Sequence, residues 1–154
     1  MAVHTSGGLG TADALVRLSH LVQHVFADVA REHDLTSQQL QLVCVLLAEP
    51  LGMTRLSRLM HLERSSMTGL VDRVEKRRLV ARAADPADRR AWRVALTEEG
   101  ARLATRAHDD VVARLDTLVG RLEPDDRDRL TSAVALILAE DGHGRPASVR
   151  GRLD

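Results

Sequence analysis

The residues of this chain best suited to chemistry are arginines, short hydroxyls and aspartates, and they cluster. In the run DPADRRAWRVALT (residues 85–97), Asp85, Pro86 and Asp88 are turn formers and Arg89 and Arg90 stand at the tip. Two short β-prone runs flank the turn, at 79–83 and 91–96, so the segment reads as a β-hairpin with a charged tip. Exposed arginines on a hairpin suit the phosphate backbone or the minor groove of DNA. Upstream, Arg64, Ser65, Ser66 and Thr68 gather at the start of a helical pattern. There, hydroxyls and free N–H groups can meet phosphates and base edges. For Ser65 and Ser66 the plainer role is helix N-capping, which can coexist with contact to DNA. For Asp88 it is that of an ordinary turn residue.

Two other groups have chemical potential. His20 and His24 lie at i, i+4, a spacing able to chelate zinc, yet the fifth helix has no matching second histidine pair and no metal site is assigned. Cys44 is the only cysteine, so no internal disulfide is possible. It sits in an apolar helical run and reads as a small buried hydrophobe, with a redox thiol as the alternative. No Ser/His/Asp triad, phosphate loop or paired-carboxylate site stands out, so the chain is not expected to be an enzyme, and no cofactor is assigned.

Bulk properties fit a nucleic-acid partner only once position is considered. Net charge is zero, but residues 55–93 hold eleven Lys and Arg against five Asp and Glu. That segment is net +6 and the remainder net −6. Of the 22 basic residues all but Lys76 are arginine, whose planar fork suits phosphates and base edges. A GC-rich genome would also favour arginine, and both causes can act. Only 1% of residues are aromatic, Phe26 and Trp92, within a 44% hydrophobic chain. A core of Leu, Val and Ala follows, which suits helix packing. No apolar run approaches the roughly 20 residues needed to span a membrane, and no signal peptide is evident, so a cytoplasmic location is expected.

Six helices must position these residues. The first spans 12–33, with Leu15, Leu18, Val22, Val25 and Val29 in one stripe. Thr36 and Gln39 form a capping-box pattern for the second, which should run to about Ala48 before 49–52 break it. A short third helix covers 53–61, with Thr54 as its cap. The fourth runs from Arg64 or Ser65 to about Arg77, with Met67, Leu70, Val71 and Val74 inward. Two short helices joined by a tight turn make a helix-turn-helix, and the hairpin at once after it makes a wing. A long fifth helix, capped at Thr97, and a sixth from Pro124 to about Glu140 complete the chain. The expected fold is mainly α with a small β-hairpin wing. Residues 1–11 and 142–154 read as mobile tails, 35–100 as a DNA-binding lobe, and 12–34 with 101–141 as a helical dimerisation region. The first, fifth and sixth helices carry more apolar surface than one copy needs, which points to a two-fold dimer.

These elements and two strings, LSRLMHLERSSMTGLVDRVEKRRLV (56–80) and DPADRRAWRVALTEEG (85–100), resemble the MarR family of bacterial transcriptional regulators. The resemblance implies a dimer that binds a palindromic operator, usually as a repressor, and is released by a small ligand or an oxidant. It places Arg64, Ser65, Ser66, Thr68, Asp72 and Arg73 toward the major groove. It matches the family's Asp-x-Arg to Asp88 and Arg90, with Asp88 orienting Arg90 for the minor groove and Arg89 as a phosphate contact. It also makes Arg17, His20, His24 and Met53 candidate lining residues for a small aromatic or anionic effector. A redox- or zinc-responsive regulator of the same fold, and a winged-helix protein adaptor without DNA, are the alternatives. Three positions depart from the family pattern: Gly69 within the recognition helix, Arg78 where glycine is common, and Ala87 in the wing. If position 78 needs a positive φ, arginine is strained there.

Overall fold

A computed structural model describes residues 8–88 and 90–140. Expectations for 1–7, for Arg89 and for 142–154 lie outside them. The order is α1 (Thr11–Glu32), α2 (Ser37–Val45), β1 (Leu51–Gly52), α3 (Met53–Leu59), α4 (Arg64–Lys76), β2 (Val80–Ala84), β3 (Trp92–Leu96), α5 (Glu98–Val119) and α6 (Pro124–Glu140). All six expected helices and the hairpin are present.

Local chemistry accounts for most boundaries. The Thr36 hydroxyl accepts the Gln39 N–H and the Gln39 side chain accepts the Thr36 N–H, a complete capping box at the start of α2. Thr97 caps α5 in the same manner through the Gly100 N–H. Pro124 opens α6, where its missing N–H costs nothing, and Asp125 and Asp126 follow in the first turn. Helix α3 departs from expectation: Gly52 occupies its cap position and Thr54 makes no cap bond.

Three helices end alike. Asp34, His61 and Arg78 follow α1, α3 and α4 with φ of 55°, 51° and 58°. In each case the next residue, a leucine, donates its N–H back across the turn: Leu35 to the Ala30 carbonyl (2.8 Å), Leu62 to Ser57 (3.0 Å) and Leu79 to Val74 (3.2 Å). These are Schellman closures, normally made with glycine at the left-handed position. Leu35 and Leu79 are then buried, so the turns fasten the helix ends to the core. The strain expected at Arg78 is therefore present.

The second helix stops earlier than expected, at Val45, and residues assigned to a chain break form a strand. Leu51 and Gly52 pair antiparallel with Val94 and Arg93, so the wing is a three-stranded sheet in the order β1-β3-β2. A strand of two residues has no alternation to read. Leu51, Val80 and Val94 are buried and join the sheet to a core of Val29, Leu40, Leu42, Val43, Leu56, Met67, Leu70, Val71 and Val74. Helices α1, α2 and α5 pack on one another around this core. Helix α6 does not: Leu130, Val134, Leu136, Ile137 and Leu138 are all exposed, as are Leu15, Leu18 and Leu21 of α1 and Leu118 of α5.

Candidate nucleic-acid interface

Helix α4 turns Met67, Leu70, Val71 and Val74 inward, and all four are buried. At 100° per residue, its opposite face centres on Ser65, Gly69, Asp72 and Lys76. Arg64, Ser65, Ser66, Thr68, Asp72 and Arg73 are all exposed. Glu63 holds the cap position without a side-chain bond, so neither Ser65 nor Ser66 caps the helix. Their N–H groups belong to the unpaired first turn, which draws anions. The Thr68 hydroxyl donates to the Arg64 carbonyl (2.9 Å).

The wing tip is braced by its aspartates. Asp85 accepts the Ala87 N–H (2.8 Å) with one carboxylate oxygen and Arg93 Nε (2.7 Å) with the other. The Ala87 N–H and then the Arg93 guanidinium hold its carboxyl below the ordinary 3.8. Asp88 accepts the Arg90 backbone N–H (2.9 Å). It therefore shapes the turn rather than gripping the guanidinium of Arg90, the role implied by the resemblance. Arg90 is exposed, and among the described residues its guanidinium has no ion-pair partner.

Behind the tip lies a residue that sequence reasoning passed over. Arg82 of β2 reaches across to α4 and binds both Asp72 and Glu75. Its backbone N–H also donates to Glu75 (3.1 Å). The hydrogen bond to Asp72 leads the effects that strengthen its charged form. Asp72 is thus engaged as a strut between α4 and the wing. Lys76 was also passed over, although helical spacing from Ser65, Gly69 and Asp72 would have found it.

The expected effector residues do not converge. Arg17 pairs with Asp13 on the surface of α1 (3.1 Å). His24 Nδ1 donates to the His20 carbonyl (2.7 Å), one turn back on the same helix. His24 lines a groove of about 540 Å³ between α1 and α2, with Phe26, Ser37, Gln38 and Gln41. Met53 instead lines a separate notch beside Thr68, Arg82 and Trp92. Among the described residues no three potential ligands gather to hold a metal. Burial pushes the Cys44 thiol up to about 11, so little thiolate exists at neutral pH.

The sequence signature described as the MarR family matches residues 33–91. The transcriptional repressor CouR, solved on a 23-mer DNA duplex, is 30% identical, with 83% of this chain and 92% of that one covered and a TM-score of 0.70. This chain belongs to the MarR family. A second structure of CouR and a bacterial repressor are also similar. CouR from Rhodococcus jostii RHA1, solved with p-coumaroyl-CoA, is 28% identical over 86% of this chain and 95% of that one, with a TM-score of 0.72. The homoprotocatechuate degradative operon repressor of Escherichia coli is 26% identical over 90% of this chain and 93% of its own length. Among the described residues no helix is long and apolar enough to cross a membrane.

Proposed function

We propose that this MarR-family chain is a dimeric transcriptional repressor that binds a palindromic operator and releases it when a small aromatic or anionic ligand binds. The observation that carries this reading is a pairing of exposed groups: Arg64, Ser65, Ser66, Thr68 and Arg73 on α4, and an unpaired Arg90 on a braced turn. Helix α4 enters the major groove through Ser65, Ser66 and Arg73. Arg90 enters the adjacent minor groove and Arg89 meets the backbone. Asp88 preorganises the turn, which lowers the entropy lost on binding.

Residues 35–100 form the DNA-binding lobe, and 12–34 with 101–141 form the dimer contact. The exposed leucines of α1, α5 and α6 support a second copy there. The effector class rests on the p-coumaroyl-CoA of CouR and the homoprotocatechuate degradative operon named for the Escherichia coli relative. The groove beside His24 is its place on this chain. The role is regulatory rather than enzymatic and belongs in the cytoplasm with the operator.

The test is fluorescence anisotropy with the intergenic duplex beside this chain's own gene, against a scrambled duplex of the same length. Preference of at least about a thousandfold at physiological salt is expected. Equal, weak binding to both duplexes sinks the reading.

A further inference from the structure

A helix in a major groove and a loop in the neighbouring minor groove are separated by one sugar–phosphate strand. Whatever lies between α4 and the wing tip must face that strand. In this chain that place is a notch of about 260 Å³ lined by Met53, Thr68, Arg82 and Trp92. Trp92, the only tryptophan, is 59% exposed.

The register explains why the indole stands bare. Trp92 lies two residues before Val94 on β3, so both side chains leave the same face of the sheet. Val94 is buried in the core, whereas Trp92 stands exposed at the notch beside Thr68 of α4. Its cross-strand partner is Ala84, too small to cover it. The indole N–H has no hydrogen-bond partner among the described residues. A tryptophan with an apolar body and a free donor is suited to a contact surface.

The neighbours point to what covers it. Arg82 is occupied by Asp72 and Glu75 and is not available to a phosphate. Arg64 stands one helical turn before Thr68, exposed, and supplies positive charge on the same flank. The donor left in the notch is neutral. We infer that Trp92 is a DNA contact: its indole N–H donates to a phosphate oxygen of the strand between the two grooves, and its ring covers the adjacent deoxyribose. This rests on the operator-binding reading above and adds a contact that positions the duplex without reading sequence.

Trp92 is its own reporter, since the chain has no other tryptophan and no tyrosine. The intergenic duplex should quench and shift its emission. Trp92→Phe keeps the apolar ring and removes the donor. It should weaken binding about tenfold at each half-site, the lower end for a hydrogen bond to a charged acceptor, and so about a hundredfold for the dimer. Because the donor carries no charge, the slope of log affinity against log salt should stay at the wild-type value. Thermal stability should also be unchanged, as the side chain is largely exposed. Wild-type affinity in Trp92→Phe, together with Trp92 emission in the wild-type protein that the duplex does not quench, and with weakened binding in Arg90→Ala, overturns the contact and leaves operator binding standing. Emission that responds to p-coumaroyl-CoA but not to the duplex overturns it in favour of an effector notch. If wild-type protein prefers no duplex, the operator reading fails and the contact with it.

Discussion

The carbonyl of Leu79 lies where a side chain on Gly100 would have to go: a Cβ there would stand 1.8 Å from its oxygen. Around this approach Thr97 donates its N–H to the same carbonyl (3.0 Å) and its hydroxyl to the Arg78 carbonyl (2.6 Å). The first turn of α5 is thereby fastened to the end of α4. The junction ties the start of α5, the expected dimer helix, to the residues that close α4. Gly100→Ala should therefore cost about 3 kcal/mol or more, at the upper end of overpacking, because backbone rather than a flexible side chain must yield. Urea unfolding at fixed protein concentration measures it. A loss below about 1 kcal/mol would mean that the junction is softer than its geometry.

Arg78 carries the opposite expectation. Its φ of 58° is one that arginine adopts at a cost and glycine freely. Arg78→Gly should stabilise the fold by about 1 kcal/mol, a rise in Tm of roughly 2–4 °C at this chain length. Scanning calorimetry decides it. An unchanged or lower Tm would show that the arginine side chain offsets the strain through contacts of its own.

What was legible in the sequence was what repeats. The 3.6-residue spacing of Met67, Leu70, Val71 and Val74 identified the buried face of α4, and all four are buried. The Thr36 and Gln39 pattern identified a capping box that is present. What repeats too briefly, or not at all, was hidden. Leu51 and Gly52 are too few to alternate, so β1 read as a break. The left-handed closures at Asp34 and His61 lack the glycine that signals them. Arg82 finds its carboxylates 7 and 10 residues away, across a turn between helix and strand, where no local rule pairs them. Asp88 was recognised as a turn residue with a second role toward Arg90. The bond is to the backbone N–H, which spacing alone could not separate from the guanidinium.

The wing should loosen in acid through Asp85. Its folded carboxyl titrates below the ordinary 3.8, first because it accepts the Ala87 N–H and then because Arg93 is beside it. A lowered folded value means stabilisation that is complete above the unfolded value and lost as pH falls through the folded one. Trp92 emission should therefore hold steady down to about pH 3.8 and change below it. Asp85→Asn keeps an acceptor for Ala87 but loses the charge opposite Arg93, and should lack that acid step. Identical acid profiles for the two proteins would remove Asp85 from the account of the wing.

Arg90 and Arg82 are both wing arginines, and their electrostatic settings predict different kinds of failure. Arg90 is exposed without an ion-pair partner among the described residues, so on entering the minor groove it brings an uncompensated positive charge to the duplex and releases a counterion. Arg90→Ala should weaken binding to the intergenic duplex and lower the salt slope by about one unit or less for each half-site, about two units or less for the dimer. Arg82 is already neutralised by Asp72 and Glu75 and has no counterion to release. Arg82→Met alone leaves two carboxylates uncompensated next to α4 and the wing, so it should weaken binding and also lower the salt slope through their screened repulsion of phosphates. Made together with Asp72→Asn and Glu75→Gln, it should return the salt slope to near wild type while binding stays weakened by the freed wing. Titrations at several salt concentrations separate the cases. A salt slope that stays low in the triple variant and holds with Arg90→Ala would exchange the two roles.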